Sequence, residues 1–509
     1  LLKNDGVLPL SRDVRRIAVV GPTADDTMAL LGNYYGTPAA PVTILQGIKQ
    51  AVPQAEVMYA QGADLVEGRN DPTAMPLIEP QYLRPSPDSS ERGLRGEYFR
   101  NGELAGTPAL VRVDPQIVFN WDRGSPTDNL QARGEAGPDE AVPNDNFSIR
   151  WTGQLLPPVS GKYQIQPAAN DGFRLYLDGK LILDHWQKED RLSAESVGVD
   201  LEAGRAYDLK LEYFDAERDA GVRLAWVRPG ALPPLEEAVG IARQADVVVF
   251  VGGLTGDVEG EEMKVDYPGF AGGDRTDIRL PASQQVLLEA LQATGKPVVM
   301  VLTTGSALAV DWAQDTLPAI LLAWYPGQRG GTAVADVLFG DVNPAGRLPV
   351  TFYKADEKLP AFDDYAMQGR TYRYFDGQPL YPFGHGLSYT RFTYSDLKLD
   401  SSEGGSAQAV QATVKIRNAG DRAGEEVVQL YLKPKQAERE RSRKDLRGFQ
   451  RVALKPGEER TLTFSFTPEK DLRTYDEATS KYVVDPGAYE IQIGASSADI
   501  RVSEVFTVK

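Results

Sequence analysis

The densest concentration of groups that could do chemistry is Glu259-Gly260-Glu261-Glu262, followed by Gly272-Gly273-Asp274-Arg275. Three carboxylates in four residues repel one another, and crowding favours the protonated form of at least one of them. A carboxylic acid that keeps its proton near neutral pH is a general acid. The same stretch is equally readable as a solvated acidic turn, so the choice rests on what surrounds it. Immediately before it lies Val247-Val248-Val249-Phe250-Val251-Gly252-Gly253, an apolar run that reads as a buried strand ending at a glycine pair. The acidic residues therefore sit on a loop at the end of a strand.

Composition removes several alternatives. The chain of 509 residues has no cysteine, which excludes disulfides, Cys-ligated zinc, iron–sulfur clusters and thiol nucleophiles. Only two histidines are present, His185 and His385, so a Ser-His-Asp triad or a His-based metal site would depend on one of them. No metal or cofactor is called for. There is no Gly-x-Ser-x-Gly elbow, no phosphate loop and no Gly-x-Gly-x-x-Gly after an early strand. A net charge of −17 disfavours nucleic acid and anionic membranes as partners while leaving neutral substrates such as sugars open. No apolar run approaches the roughly 20 residues needed to cross a bilayer. The opening Leu1-Leu2-Lys3-Asn4-Asp5-Gly6 lacks an initiator Met and reads as the continuation of a longer sequence.

Several hundred residues exceed one core, so several domains are expected. Arg16–Val20, Thr43–Val52 and Glu56–Tyr59 read as strand, helix and strand. Residues 64–92 carry Pro76, Pro80, Pro85 and Pro87 and read as a linker. From Gly93 short alternating runs take over, among them Gly161–Ile165 and Phe173–Leu177 with an Asp178-Gly179 hairpin signal. The α/β texture resumes after Pro229-Gly230, with a helix opened by Pro281 and capped by Gly295. From residue 396 the pattern is again period two, with about seven strands expected of an immunoglobulin-like sandwich. The expected organisation is multidomain: an α/β sandwich domain in two segments, 1–92 and 232–395, interrupted by an all-β domain at 93–231 and followed by a β-sandwich at 396–509.

The motifs in this order resemble glycoside hydrolase family 3. Leu1–Leu10 is similar to the junction after that family's catalytic barrel. Ala323–Gly331, Gly340–Pro349 and Tyr381–Tyr389 are similar to its second domain. Leu446–Phe449 and Gly494–Ser497 resemble its fibronectin type III-like domain, and Arg150–Gly153 with Asn170–Gly179 resembles a PA14 domain. The resemblance implies a retaining, exo-acting glycosidase, foremost a β-glucosidase, with a β-xylosidase or a non-catalytic carbohydrate-binding protein as the alternatives. It implies an oligosaccharide or β-glycoside substrate, a periplasmic or secreted location, and a partner barrel carrying the aspartate nucleophile, for which this chain has neither the Ser-Asp-Trp-like motif nor the length. Laid on the family's Glu-x-Glu-Gly pattern, the acid/base falls on Glu261, with Glu259 and Glu262 as the other carboxylates to weigh. Asp274 and Arg275 are expected to anchor the loop. Trp324, Tyr325, Tyr389 and His385 are expected to pack and fix loops, His185 to be a possible sugar contact, and the PA14-like insert to narrow the aglycone side. The turn Asn170-Asp171 lacks the consecutive aspartates that hold calcium in some PA14-like domains.

Overall fold

The computed structural model describes residues 1–67, 75–128, 141–189, 192–230, 232–358, 360–361, 363–436 and 441–509. The chain divides into two compact units, residues 1–69 with 234–509, and residues 70–233.

The first unit is built on a sheet of six strands: β1 (Lys3–Asn4), β2 (Arg16–Val20), β3 (Glu56–Ala60), β4 (Val247–Gly253), β5 (Val298–Thr303) and β6 (Ala319–Leu322). Their spatial order is β1-β6-β5-β4-β2-β3, all parallel except β1 against β6. Helices cover both faces: α1 (Ile44–Ala51) and α5 (Gly330–Leu338) on one, α2 (Pro234–Gln244), α3 (Ala282–Gln292) and α4 (Asp311–Thr316) on the other. Alternate residues of each strand feed opposite layers. Ile17 and Val19 pack with Ile44, Leu45, Ile48 and Val334, whereas Ala18 and Val20 pack with Ala238, Ala242 and Leu287. Because both faces are buried there, the inner strands β2, β4, β5 and β6 are nearly continuously apolar rather than alternating.

Local signals fix the helices. Thr43 closes a capping box with Gln46 at the start of α1. The backbones of α1 and α5 touch: a Cβ on Gly331 would stand 1.8 Å from the carbonyl oxygen of Thr43, and one on Gly47 would stand 2.0 Å from that of Gly331. Only glycine allows this approach.

A β-sandwich follows. Phe392–Leu399, Val410–Asn418 and Glu459–Phe466 form one sheet; Glu403–Gly404, Ile500–Val508, Gly487–Gly494, Gly424–Pro434 and Asp445–Leu454 form the other. Its first strand begins at Phe392, ahead of the expected boundary at 396, because Phe392 is already part of the sandwich core.

The second unit consists of a seven-stranded and a five-stranded sheet around Trp151, Tyr163, Tyr213 and Trp226. The expected boundary at 92/93 is corrected here. Ile78 and Leu83 are buried in this core, Leu83–Arg84 pair with Leu155 and Gln154, and Leu77 bridges Ala225. Pro80 opens a 3-10 turn at Pro80–Tyr82, so prolines read as a linker instead punctuate a packed segment. Residues 68–74 of that linker, and the expected boundary residue 231, lie outside the described residues.

Asp114 organises this core, accepting hydrogen bonds from the Tyr98 hydroxyl at 2.6 Å, Trp151 Nε1 at 2.7 Å and Arg112 Nε at 2.7 Å. Asp215 is also buried, and burial first, then the charges of Asp171 and Asp145, push its pKa up to about 7. An unfolded Asp titrates near 3.9, so between these values the folded state holds the extra proton, and this contribution to stability is lost as pH rises from about 4 to about 7. Asp215→Asn is therefore expected to gain on the unmodified protein as pH rises, by up to about 4 kcal/mol at pH 8. Amide hydrogen exchange along Tyr207–Asp215 at pH 5 and pH 8 measures it; an equal difference at both values would count against the assignment.

Candidate functional site

The acidic loop leaves the sheet at the carboxyl end of β4, where ligands commonly bind in open parallel sheets. Its departure is held from both sides. Gly253 takes φ +121°, and a Cβ there would stand 2.0 Å from the carbonyl oxygen of Thr303. The buried amide of Gln284 spans the strand end: its Oε1 accepts from Gly253 N–H at 2.7 Å, and its Nε2 donates to the carbonyls of Gly253 and Leu65, each at 2.7 Å. The chain then turns on Thr255, whose carbonyl accepts from the N–H groups of Val258 and Glu259 at 3.2 Å. Val258 is buried in the sheet core and pins this turn.

The three glutamates separate into different roles. Glu259 Oε2 accepts from Gly305 N–H at 2.9 Å and from the Tyr325 hydroxyl at 2.9 Å. Both donors stand at the carboxyl ends of the neighbouring strands, just beyond β5 and β6. Burial, and then the charge of Glu259 and its hydrogen bond, drive the Tyr325 phenol far above its ordinary range, so it stays a donor. Glu262 is exposed at φ +50°, in the left-handed region. Glu261 is exposed and accepts the hydroxyl of Tyr34. Glu259 is thus an internal strut and Glu261 the outward carboxyl.

Distal to these, the loop folds back on itself. Met263 N–H donates to Gly272 carbonyl at 2.9 Å, and Gly272 N–H to Val265 carbonyl at 2.8 Å. Phe270–Ala271 pairs with Asp274–Arg275. Gly273, at φ +93°, lies so close that a Cβ would stand 2.1 Å from the carbonyl oxygen of Gly260. The two glycine-rich ends of the excursion therefore cross, which is why they frame it in sequence.

Arg275 does anchor the loop, through carbonyls rather than through Asp274. It donates to Asp277 carbonyl at 2.6 and 3.0 Å, to Arg279 carbonyl at 3.1 Å and to Ser306 Oγ at 3.3 Å, with its guanidinium 5.1 Å from the Phe270 ring centroid. Burial lowers its pKa, and the opposing charges of Glu259 and Asp277 counter that. Asp274 is exposed. Beside this support an open cavity of about 610 Å³ is lined by Gly305, Ser306, Ala307, Trp324, Pro349 and Val350.

The other singled-out residues are each held by partners of their own. His385 Nε2 lies 2.9 Å from the Leu2 carbonyl and its ring stacks on Tyr381. Burial lowers its pKa. Tyr389 donates to the Val337 carbonyl at 2.8 Å. In the second unit, His185 contacts Glu195 at 2.8 Å and Glu189 at 3.2 Å and stacks on Phe173. Asp171 accepts the N–H groups of Glu189 and Ala216 at 2.9 and 2.7 Å. Sequence reasoning missed Tyr34; its signal was an aromatic pair between glycines, Gly32-Asn33-Tyr34-Tyr35-Gly36, in the segment after β2.

Residues 1–389 match the glycosyl hydrolase family 3 C-terminal domain, and residues 426–497 match a fibronectin type III-like domain. The chain is 36% identical over 503 residues to a xylan 1,4-β-xylosidase of Xylanibacter ruminicola, covering 98% of this chain and 55% of that protein. It is 34% identical over 539 residues to a β-glucosidase of Rhizobium radiobacter, covering 99% of this chain and 60% of that protein. It superposes with a TM-score of 0.71 on the β-glucosidase of Kluyveromyces marxianus solved in complex with glucose, at 25% identity, covering all of this chain and 60% of that one. The chain thus spans somewhat more than half the length of these relatives.

Proposed function

This chain belongs to glycosyl hydrolase family 3, and from that premise we propose that it supplies the general acid/base, Glu261, of a retaining, exo-acting β-glycosidase. The nucleophile is carried by a barrel outside these residues. Retention needs two carboxyls about 5–5.5 Å apart, one attacking the anomeric carbon and one protonating the leaving oxygen and then deprotonating water. The observation that supports Glu261 is its outward carboxyl on a loop braced by Glu259, Gly305 and Tyr325. Such bracing is what a proton donor needs, since a small misplacement is costly in rate.

The preferred substrate is a terminal β-glucoside. A β-xyloside is the second reading, favoured by the 36% identity to a protein named as a xylan 1,4-β-xylosidase. The all-β second unit is read as a PA14-like insertion, and the protein as periplasmic or secreted.

The test compares residues 1–509 alone with the protein that includes the barrel, on 4-nitrophenyl β-glucoside and β-xyloside. The chain alone is expected to leave both intact, and the protein with the barrel to release 4-nitrophenol. Hydrolysis by residues 1–509 alone would overturn the two-part site.

A further inference from the structure

We propose that the cleft between residues 366–374 and the hairpin Thr474–Asp476 with Lys481–Val483 is a non-catalytic carbohydrate site, taking a stretch of neutral oligosaccharide on the margin of the β-sandwich. It shares no residue with the acidic loop or with the cavity at Gly305, and it does not depend on the role of Glu261.

The cleft encloses about 430 Å³, and Met367, Gln368, Tyr374, Arg441, Tyr475 and Glu477 are among the residues that line it. One wall is tied to the sandwich. Arg373 Nε donates to Asp445 Oδ1 at 2.6 Å, the Arg373 carbonyl accepts Arg443 N–H at 2.8 Å, and the Tyr372 hydroxyl accepts Leu446 N–H at 3.1 Å. The other wall is the hairpin, in which Tyr475 pairs with Tyr482. Asp476 holds its turn by accepting Ala478 N–H at 3.3 Å and the Thr479 hydroxyl at 2.7 Å. The cleft is therefore formed before anything enters it, as ligand sites commonly are.

Arg441 is the group that calls for a ligand. Its side chain is only 6% exposed. Nη1 donates to the Tyr489 hydroxyl at 3.3 Å, Nη2 to the Leu472 carbonyl at 3.2 Å, and Asp485 lies 3.6 Å away. Nε has no hydrogen-bond partner among the described residues. A buried donor left unmade is costly, and a ligand oxygen in the cleft would satisfy it. Charge decides which oxygen. Asp485 already balances the guanidinium, and Asp476 and Glu477 line the same cleft, so an anionic ligand is disfavoured and a hydroxyl is not. The exposed Gln368 amide both donates and accepts, and Glu477 accepts. Tyr475 and Tyr482 are 50% and 62% exposed and meet edge to face with ring centroids 5.4 Å apart. Such rings are apolar in the body and polar at the tip. A pyranose has the matching form: a face of C–H groups that packs on a ring, and a rim of hydroxyls that donate and accept.

The test titrates residues 1–509 with cellohexaose, xylohexaose and oligogalacturonate by isothermal calorimetry. At least one neutral sugar is expected to bind, and oligogalacturonate to bind at least about tenfold more weakly than it. Arg441 is built into the sandwich, so two exposed residues carry the mutational arm. Tyr475→Ala and Gln368→Ala should each weaken binding of the neutral sugar by about three- to tenfold, with circular dichroism unchanged. The calorimetry needs no barrel, so its outcome is independent of whether Glu261 is the acid/base. No binding by the folded chain, oligogalacturonate held as tightly as the neutral sugars, or an affinity unchanged in both variants would overturn the proposal.

Discussion

Glu261→Gln in the barrel-containing protein is expected to lower kcat on β-linked disaccharides by about 10²–10⁴-fold, the usual span of general acid–base assistance. The glutamine amide keeps the shape and cannot transfer the proton. The loss should depend on the leaving group. A sugar alkoxide needs protonation as the bond breaks, whereas 4-nitrophenolate leaves without it, so the aryl glycoside should show a burst of 4-nitrophenol followed by slow turnover. Azide should then restore turnover, because it attacks the glycosyl-enzyme without a base. Glu262→Gln provides the contrast and should stay within about threefold, since surface substitutions away from such a role have small effects. Equal activity of Glu261→Gln and the unmodified protein on a disaccharide would remove Glu261 from the mechanism. Glu259→Gln asks a different question. It weakens the charge-assisted bonds from Tyr325 and Gly305, and its cost should be read in loop order before it is read in chemistry.

Glu426→Ala is expected to destabilise the first unit by about 3–5 kcal/mol, the penalty for leaving one charge of a buried pair unpartnered. Arg347 Nη2 meets Glu426 Oε1 at 2.6 Å, and the two side chains are only 8% and 6% exposed. The same carboxylate oxygen accepts Val427 N–H at 2.8 Å. Arg347 belongs to the segment that leaves the α/β layers, and Glu426 to a central strand of the sandwich. The pair therefore ties the two parts of the first unit in a fixed register. The double change Arg347→Met with Glu426→Leu should recover most of the loss, since burying two apolar side chains removes the unpaired charge. Urea unfolding of Glu426→Ala, of the single variants Arg347→Met and Glu426→Leu, and of the double variant measures this. Single and double losses that simply add would show that the pair is not energetically coupled.

The sheet was legible because burial on both faces writes itself as continuous apolar runs, as in Val247–Val251 and Val298–Leu302. Helix limits were legible where a cap is local: Thr43 with Gln46, and Gly295 after α3. The start of the second unit was not, because prolines carry the same local signal in a solvated linker and in packed turns. Only the partners distinguish them, and Leu83 finds its partner at Leu155. The acidic loop shows the same limit at the level of chemistry. Three glutamates are indistinguishable by type. What sorts them are partners 46, 66 and 227 residues away: Gly305 and Tyr325 for Glu259, and Tyr34 for Glu261. Arg275 was rightly expected to hold the loop, but its acceptors are backbone carbonyls, which no side-chain pattern reveals.

The two-residue strand β1 has an effect out of proportion to its length. It lies antiparallel along β6, and Leu2 and Asp5 N–H groups donate to Ile320 and Pro318 carbonyls at 2.8 Å. Without it, Ala319-Ile320-Leu321 would present an unpaired apolar rim, the kind of surface that templates association between molecules. The segment that pairs there also holds residues 385–387, through Leu1 carbonyl to Leu387 N–H at 2.8 Å and Leu2 carbonyl to His385. Trimming or displacing the first six residues would therefore act as a solubility lesion: it would open a sticky sheet margin and loosen the approach to the sandwich while leaving the acidic loop, three strands away in the same sheet, chemically intact.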